Sequence, residues 1–537
     1  MPVACVLLAV MVAGCARGAV AIHDVQGAQD NSSCAGRSVI VDRAVVTATA
    51  PHGYFVGTVP GREDGDPGTS EGLYVYTGAA PRVDRGDKLR LAGDVVEYHG
   101  HTQLTHPRVL ERLGRGRVPE AVPVREPPES GWESLESMRV HLDGATVAQA
   151  TDRYGETTIA TGAQRPFRRP DGRSAGVIEI DPDALGLPDR QLNAGSRLDA
   201  EGPLVFRHGH FVLWPETLEP GPVPELPRDV PGASPGELTV ATFNLERFFD
   251  DRADNGEPVL PARVYAARRE KTAGWLERVL HCPDVVAVQE VESARVLDAL
   301  ARASGCGYRS LSLAAGPHPG LGYLVRDGLK AGGLDELGAD RRFGSGGDLF
   351  DRAPLLLVVH PPDAAAIDLI NVHLRSQLGI VKTWVQRKRL EQAEFLRGVV
   401  AARIADDPGR RLLVLGDFNA VPFSDGRVDV LARITGARPV NDAFPHPGDS
   451  KPLLHDLLDR LPAQERYTYV HRGEAEMLDH ILVNRALSPA VSRVAAGRGN
   501  ADAPEALADE PGTLLRASDH DPLVVYFVPG AGKRAAN

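Results

Sequence analysis

Thiols are scarce in this sequence. Its 537 residues hold five cysteines, and none are spaced as CxxC or as a Cys/His zinc pattern, which excludes a thiolate metal centre. Cys282 and Cys306 each stand just before a candidate strand, so a disulfide across neighbouring strands is open to them, with Cys34 left over. Basic charge is scarce as well. The net charge is −12, and neither the first 235 residues nor the remainder carries a basic excess. Gripping nucleic acid by bulk electrostatics is therefore excluded, and any such contact must be local or metal-assisted. Long apolar runs are missing too: the run near the N-terminus, about a dozen residues, is too short to span a bilayer.

What that run does suit is the h-region of an export signal, although no Lys or Arg precedes it. Within "MPVACVLLAVMVAGCARGAVA" two processing sites compete over residues 1–21. "VAGC" at 12–15 resembles the bacterial lipobox, which would make Cys15 a lipidated first residue. "AVA" at 19–21 offers ordinary cleavage after Ala21. The first places the protein on the outer membrane or cell surface by a lipid anchor, and the second leaves it secreted or periplasmic.

Glycine and proline are abundant, at 56 and 42 residues, which points to turns, linkers and strand-rich domains. Two Pro-rich stretches, "VPEAVPVREPPESG" (118–131) and "PETLEPGPVPELPRDVPGASPG" (215–236), read as extended linkers. They divide the chain into 34–115, 132–215, a linker over 216–236, and 237–530. The first two pieces are copies of one unit. "VDRGDKLRLAGDVVEYHGHTQL" aligns without gaps on "LNAGSRLDAEGPLVFRHGHFVL", matching His99 to His208, Gly100 to Gly209 and His101 to His210. Short alternating strands with Gly-containing turns make each copy a small β-barrel. His-Gly between two strands reads as a tight hairpin turn rather than a metal site. The pair resembles the tandem OB modules that precede the catalytic domain in secreted bacterial nucleases. Tyr54, Phe55, Tyr74, Tyr76 and Tyr98, with Phe206, Phe211 and Trp214, then either stack on bases or fill the barrel cores.

From residue 237 onward the strands end in polar residues: Asn244 and Glu246, Glu290, His373 and Arg375, Asp417 and Asn419. Asp479 lies in a further strand, and Asp519 and His520 open the last one. A strand repeats every two residues, so Asn244/Glu246 and Asp417/Asn419 each share a face. Acids, amides and histidines gathered at one sheet rim, without thiols, suit a hard octahedral ion such as Mg²⁺ or Mn²⁺. The histidines add acid–base capacity near neutral pH.

Asn244, Glu290, "NVHL", "GDFN", "LDHILV" and "SDHDP", in that order, resemble the endonuclease/exonuclease/phosphatase superfamily, the DNase I-like proteins, over about half the chain. The resemblance implies a four-layer α/β sandwich, two packed mixed sheets flanked by helices, preceded here by two all-β OB-like barrels. It implies a Mg²⁺ ion, with Mn²⁺ or Ca²⁺ as alternatives, held by Glu290, Asn244, Glu246 and Asp519. It makes His520 the general base, Asp479 its orienting acid, and His373 the proton donor to the leaving oxygen. Asp417 and Asn419 would place the water and the phosphate, and Arg352 and Arg375 would support the phosphate. His480 should face the other side of its strand. The basic run Lys382, Arg387, Lys388 and Arg389 either contacts DNA phosphates or forms a solvated helix face.

The reading that follows is an exported monomeric phosphodiesterase, a nuclease acting on DNA. Two rivals stand beside it: a phospholipid, sphingomyelin or inositol-phosphate phosphoesterase of the same fold, and a non-catalytic surface-binding lipoprotein.

Overall fold

The computed structural model describes residues 18–530 except 163, 173, 175, 254–257, 314–318, 345, 445, 447 and 450. Most of the expected export segment, Cys15 included, lies outside the described residues. The chain divides into two compact units, Met1–Arg165 with Ala175–Pro224, and Pro166–Ser174 with Glu225–Asn537.

In the first unit each repeat closes on itself. Strands Ser38–Ala50, Gly53–Thr58, Gly72–Tyr76, Asp87–Tyr98 and His101–Arg115 pair in the order first, second, third, fifth, fourth and back to first. Only the third and fifth are parallel within that ring. Strands Arg139–Gln149, Thr157–Ala160, Val177–Ile180, Arg197–Arg207 and His210–Leu213 repeat the same order, again with the third and fifth parallel. Closure removes the exposed edges that an open five-stranded sheet would present. Each barrel has its own apolar core, around Val41, Val56, Leu73, Leu91 and Leu104 in one and Val140, Val147, Ile159, Ile178 and Leu204 in the other. Phe55 and Tyr74 pack with Val205, Val212 and Trp214 between the barrels.

The His-Gly pairs are hairpin turns. His99 and Gly100 have φ of 54° and 86°, and His208 and Gly209 have 54° and 89°. Two successive left-handed residues give the two-residue turn whose twist matches that of the flanking strands. His101 and His210, equivalent by sequence, serve differently. His101 is buried, with Nε2 3.0 Å from Ser137 Oγ and Nδ1 3.2 Å from the Gln103 amide nitrogen. His210 sits 2.6 Å from Glu179.

The second unit holds two six-stranded mixed sheets. One is centred on Leu238–Phe248, which runs parallel to Val285–Val291. The other is centred on Ile367–His373, which runs parallel to Arg411–Asp417. Buried on both faces, these strands read in sequence as near-continuous apolar runs. Val240, Ala287, Tyr323, Leu369, Leu415, Ile481 and Val525 form the layer between the sheets. Helices Ala262–Gly274 and Ala294–Ala303 lie on the side of the first sheet's outer core, and Thr383–Asp406 on that of the second's. The result is the expected α/β/β/α sandwich.

Polar bridges lock the sheets together. Tyr323 donates its hydroxyl to the carbonyls of Leu355 (2.8 Å) and Leu369 (2.9 Å), and Gln289 donates to Asn371 Oδ1 at 2.7 Å. Buried hydrogen bonds of this kind fix register where apolar packing alone would permit sliding. Cys282 and Cys306 form a disulfide. Cys34, expected to be left over, is disulfide-bonded as well. No helix among the described residues is long and apolar enough to cross a membrane.

Candidate active site

Strand register assembles the site. Across the second sheet His373, Asp417 and Asp479 occupy one row on three adjacent strands. Across the first, Asn244 pairs with Gln289, beside Glu290. Both parallel pairs deliver their C-terminal ends to the same rim of the sandwich. There the Asn244 amide nitrogen donates to Glu290 Oε1 (3.3 Å) and Asp417 Oδ2 (3.0 Å), joining the sheets. His373 Nε2 lies 3.5 Å from Asp417 Oδ2 and 3.7 Å from Glu290 Oε1. Asn419 donates its backbone N–H to Asp417 Oδ1 at 2.7 Å and its amide to the Leu374 carbonyl at 3.1 Å.

Two acids reach this rim by leaving regular strand geometry. Alternation alone would place Glu290 with Val286 and Val288 on the outer face. A register irregularity between Gln289 and Val291, with φ of 61° at Glu290, turns its carboxylate inward, and Arg247 N–H donates to it at 2.7 Å. Glu246 and Arg247 are left-handed too, within a second irregularity between Asn244 and Phe248. Bulges that re-aim one side chain recur beside active sites.

His520 and Asp479 form a buried pair, Nδ1 to Oδ2 at 2.7 Å. The His520 Nε2 faces Asp519 at 4.0 Å. Burial opposes the imidazolium, but the carboxylates of Asp479, Asp519 and Asp417 hold His520 well above the ordinary histidine range. His373 behaves in the opposite sense: burial, with the charges of Arg352 and His520, holds it well below that range and hence neutral. Burial pushes Asp417 up to about 7, with Asp479 and Glu290 adding to the rise. Burial and Asp519 push Glu246 up to about 7. Carboxylates and amides gathered at one rim are an oxygen-rich donor set that fits a divalent cation.

The structure therefore brings together Asn244, Glu246, Glu290, His373, Asp417, Asn419, Asp479, Asp519 and His520, with Arg352 close enough to act on His373. The Arg375 guanidinium lies 5.4 Å from the Trp384 ring. His480 turns away, as its position in the strand implies, to Asp456 (2.7 Å) and the Ala420 carbonyl (2.8 Å). In the basic run both expected alternatives fail for two members. Lys388 is buried against Asp351 at 2.8 Å. Arg389 is buried and donates to the carbonyls of Arg375 (2.5 Å) and Asn419 (3.0 Å), so it braces the site from behind.

Three contributors were not apparent in the sequence. Ser518 Oγ donates to the Asn244 carbonyl at 2.7 Å. Thr468 Oγ1 accepts from Asp479 N at 3.2 Å. The Tyr469 ring lies 4.9 Å from that of His520. Only "SDHDP" carried a signal for any of these, through Ser518.

A family model described as the Endonuclease/Exonuclease/phosphatase family matches residues 241–520. The chain belongs to that family. It is accordingly a phosphodiester-hydrolysing enzyme of a kind that works with a divalent metal ion. A domain of unknown function (DUF8508) matches residues 120–225. No curated protein matches the sequence. Among solved structures, D. rerio TDP2 complexed with single strand DNA product is 19% identical, covering 54% of this chain and 98% of that one, with a TM-score of 0.36. Truncated Caenorhabditis elegans TDP2 is 16% identical, covering 54% and 97%, with a TM-score of 0.37. ANGEL2, a 2′,3′-cyclic phosphatase, is 16% identical, covering 54% and 95%, with a TM-score of 0.36.

Proposed function

We propose that this family member is an exported, Mg²⁺-dependent nuclease acting on extracellular DNA. The observation that carries the choice of substrate is the strand order of the two barrels. A five-stranded ring ordered first, second, third, fifth, fourth, with its third and fifth strands parallel, supports the OB reading. OB modules track single strands with exposed aromatics. Tyr76 and Tyr98 in the first barrel and Tyr154 in the second are exposed, whereas Tyr54 fills the first core and Phe55 and Tyr74 pack between the barrels. Export is supported by the apolar run near the N-terminus, which suits the h-region of a signal.

Glu290 with Asn244, Glu246 and Asp519 would hold the cation, the Asn244 amide nitrogen bracing Glu290. When bound, the ion supplies positive charge to the scissile phosphate and the departing oxygen. The chain's own residues do the rest. His520, neutral once a cation would offset the carboxylates that favour its charged form, takes a proton from water as the oxygen attacks phosphorus in line, and Asp479 stabilises the imidazolium that results. Asp417 and Asn419 position water and phosphate. His373, kept neutral, donates an N–H hydrogen bond to the oxygen that leaves as its bond to phosphorus breaks, and that oxygen takes its proton from solvent. Arg352 draws the phosphate toward that end.

One observation favours the phospholipid rival: the loop after His373 exposes Leu378 and Val381 (80% and 76%), and the start of the following helix leaves Trp384 half-exposed, an apolar knob of a kind that rests on lipid surfaces. A supercoiled plasmid supplied with Mg²⁺, Mn²⁺ or Ca²⁺ separates the readings. Nicking that EDTA and His520→Ala abolish supports the nuclease. Intact plasmid with hydrolysed sphingomyelin moves the substrate to lipid, and turnover of neither leaves a binding protein.

A further inference from the structure

Residues 166–174 stand in the sequence inside the second barrel, between its second strand Thr157–Ala160 and its third Val177–Ile180. In space they belong to the catalytic unit. The start of this stretch, Pro166–Arg168, runs along a hairpin, Tyr469–His471 with Glu474–Glu476, that has only three residue pairs. Two-stranded hairpins this short are marginal by themselves. With Thr468 just before it, this one touches both members of the His520–Asp479 pair and the neighbouring Asp521. Thr468 Oγ1 accepts from Asp479 N, Thr468 O accepts from Asp521 N at 2.8 Å, and the Tyr469 ring covers that of His520.

The segment supplies what the hairpin lacks. Phe167 pairs in parallel with Ala475: Arg168 N donates to the Ala475 carbonyl at 3.0 Å, and Ala475 N donates to the Pro166 carbonyl at 2.9 Å. Pro166, having no N–H to offer, suits this edge position. The Phe167 side chain packs with Tyr467, Val470, Ala475 and Ala501, its ring 6.0 Å from that of Tyr467. Arg498 stacks on Tyr467 at 3.8 Å. Ser174 N donates to Glu474 Oε1 at 2.6 Å, and Arg168 reaches Glu474 Oε2 at 3.5 Å, so the carboxylate of a buried Glu474 is held from the segment.

We propose that Pro166–Arg168 forms a third strand of the active-site hairpin, and that Phe167 is a positioning residue for His520, acting through Tyr467 and Tyr469. The phosphodiesterase machinery thereby extends beyond 237–530 to a segment encoded within the second barrel. This rests on the assignment of His520 to the reaction but not on the choice of nucleic acid as substrate. A misplacement of about 1 Å in a catalytic group is enough to slow chemistry on the order of a hundredfold, so a loosened hairpin should be visible in turnover.

The test uses the full chain, with bis(p-nitrophenyl) phosphate and Mg²⁺ as probe and amide hydrogen exchange as a second readout. Phe167→Ala should lower kcat about tenfold or more, with KM changed little. It should raise exchange over 467–479 while the core strand 411–417 stays protected, which shows that the fold persists. Phe167→Leu should recover most of both. Arg168→Ala, which leaves the cluster around Phe167 intact, should give a smaller change in the same direction. Unchanged kcat with faster exchange would reduce the segment to a structural support and overturn the proposal, as would unchanged exchange. If the wild-type chain hydrolyses no diester, the reading of the site fails, while the exchange result still decides whether the third strand exists.

Discussion

The Nδ1 of His520 lies 2.7 Å from Oδ2 of Asp479, and both groups are buried. The acid thus fixes the tautomer, leaving Nε2 as the working nitrogen. Asp479→Asn keeps the shape but removes the charge that stabilises the imidazolium. The expected outcome is a loss in kcat on the order of 10²–10⁴, with KM near wild type and a similar loss for His520→Ala. Steady-state kinetics at saturating Mg²⁺ checks it. Equal kcat for wild type and Asp479→Asn would remove this pair from the chemistry.

Asn244 offers a different failure. Its amide nitrogen is shared by Glu290 and Asp417, one from each sheet. Asn244→Ala leaves both carboxylates short of a donor at a site already rich in negative charge. Divalent-metal affinity should weaken about 10–100-fold, read as a shift in the Mg²⁺ concentration giving half-maximal activity. Asn244→Asp should be worse than Ala, because it adds a carboxylate where a donor is required.

Much of this site was legible in the sequence because catalytic strands end where their polar residues begin. The order Asn244, Glu290, His373, Asp417, Asp479, His520 pointed to one rim, and a period of two kept Asp417 and Asp479 on the inner face. Glu290 shows where periodicity stops: its bulge is a backbone irregularity with no residue signature, so only the family motif could place it. Arg389 illustrates a second limit. A run of basic residues looks solvated, and its burial depends on carbonyls at 375 and 419 that only the fold brings near. Phe167 marks a third, since the repeat's apparent boundaries concealed a strand that the catalytic unit uses.

Protonation of His101 should destabilise the first barrel in acid. Burial pushes its imidazole down to about 3. Both nitrogens are engaged, Nδ1 accepting from the Gln103 amide and Nε2 donating to Ser137. An imidazolium would have to abandon Gln103. The native state stays unprotonated while the unfolded chain gains a proton below about 6.5. Stability from this group is therefore complete above that pH and falls as pH drops toward 3, with a slope of at most about 1.4 kcal/mol per pH unit. Urea titrations between pH 4.5 and 7.5 should show the slope, and His101→Gln should flatten it. An unchanged slope in the variant would place the acid sensitivity elsewhere.

The two His-Gly turns give a matched pair for separating backbone strain from packing. Gly100 and Gly209 have nearly equal φ, 86° and 89°, so an alanine at either position meets the same left-handed penalty, about 1 kcal/mol. Their surroundings differ. A Cβ on Gly100 would lie 2.7 Å from Phe206 Cε1, whereas a Cβ on Gly209 would meet nothing within 4 Å. Gly209→Ala should therefore cost about 1 kcal/mol. Gly100→Ala should cost a further 1–3 kcal/mol or so, unless the Phe206 ring turns aside. Phe206→Ala should then bring the two glycine substitutions close to equal, since it removes the clash but leaves the strain. Equilibrium unfolding of the three single variants and the Gly100→Ala/Phe206→Ala double variant measures this directly. If Gly100→Ala and Gly209→Ala cost the same in the parent chain, the turn at His99 is held by its own backbone alone.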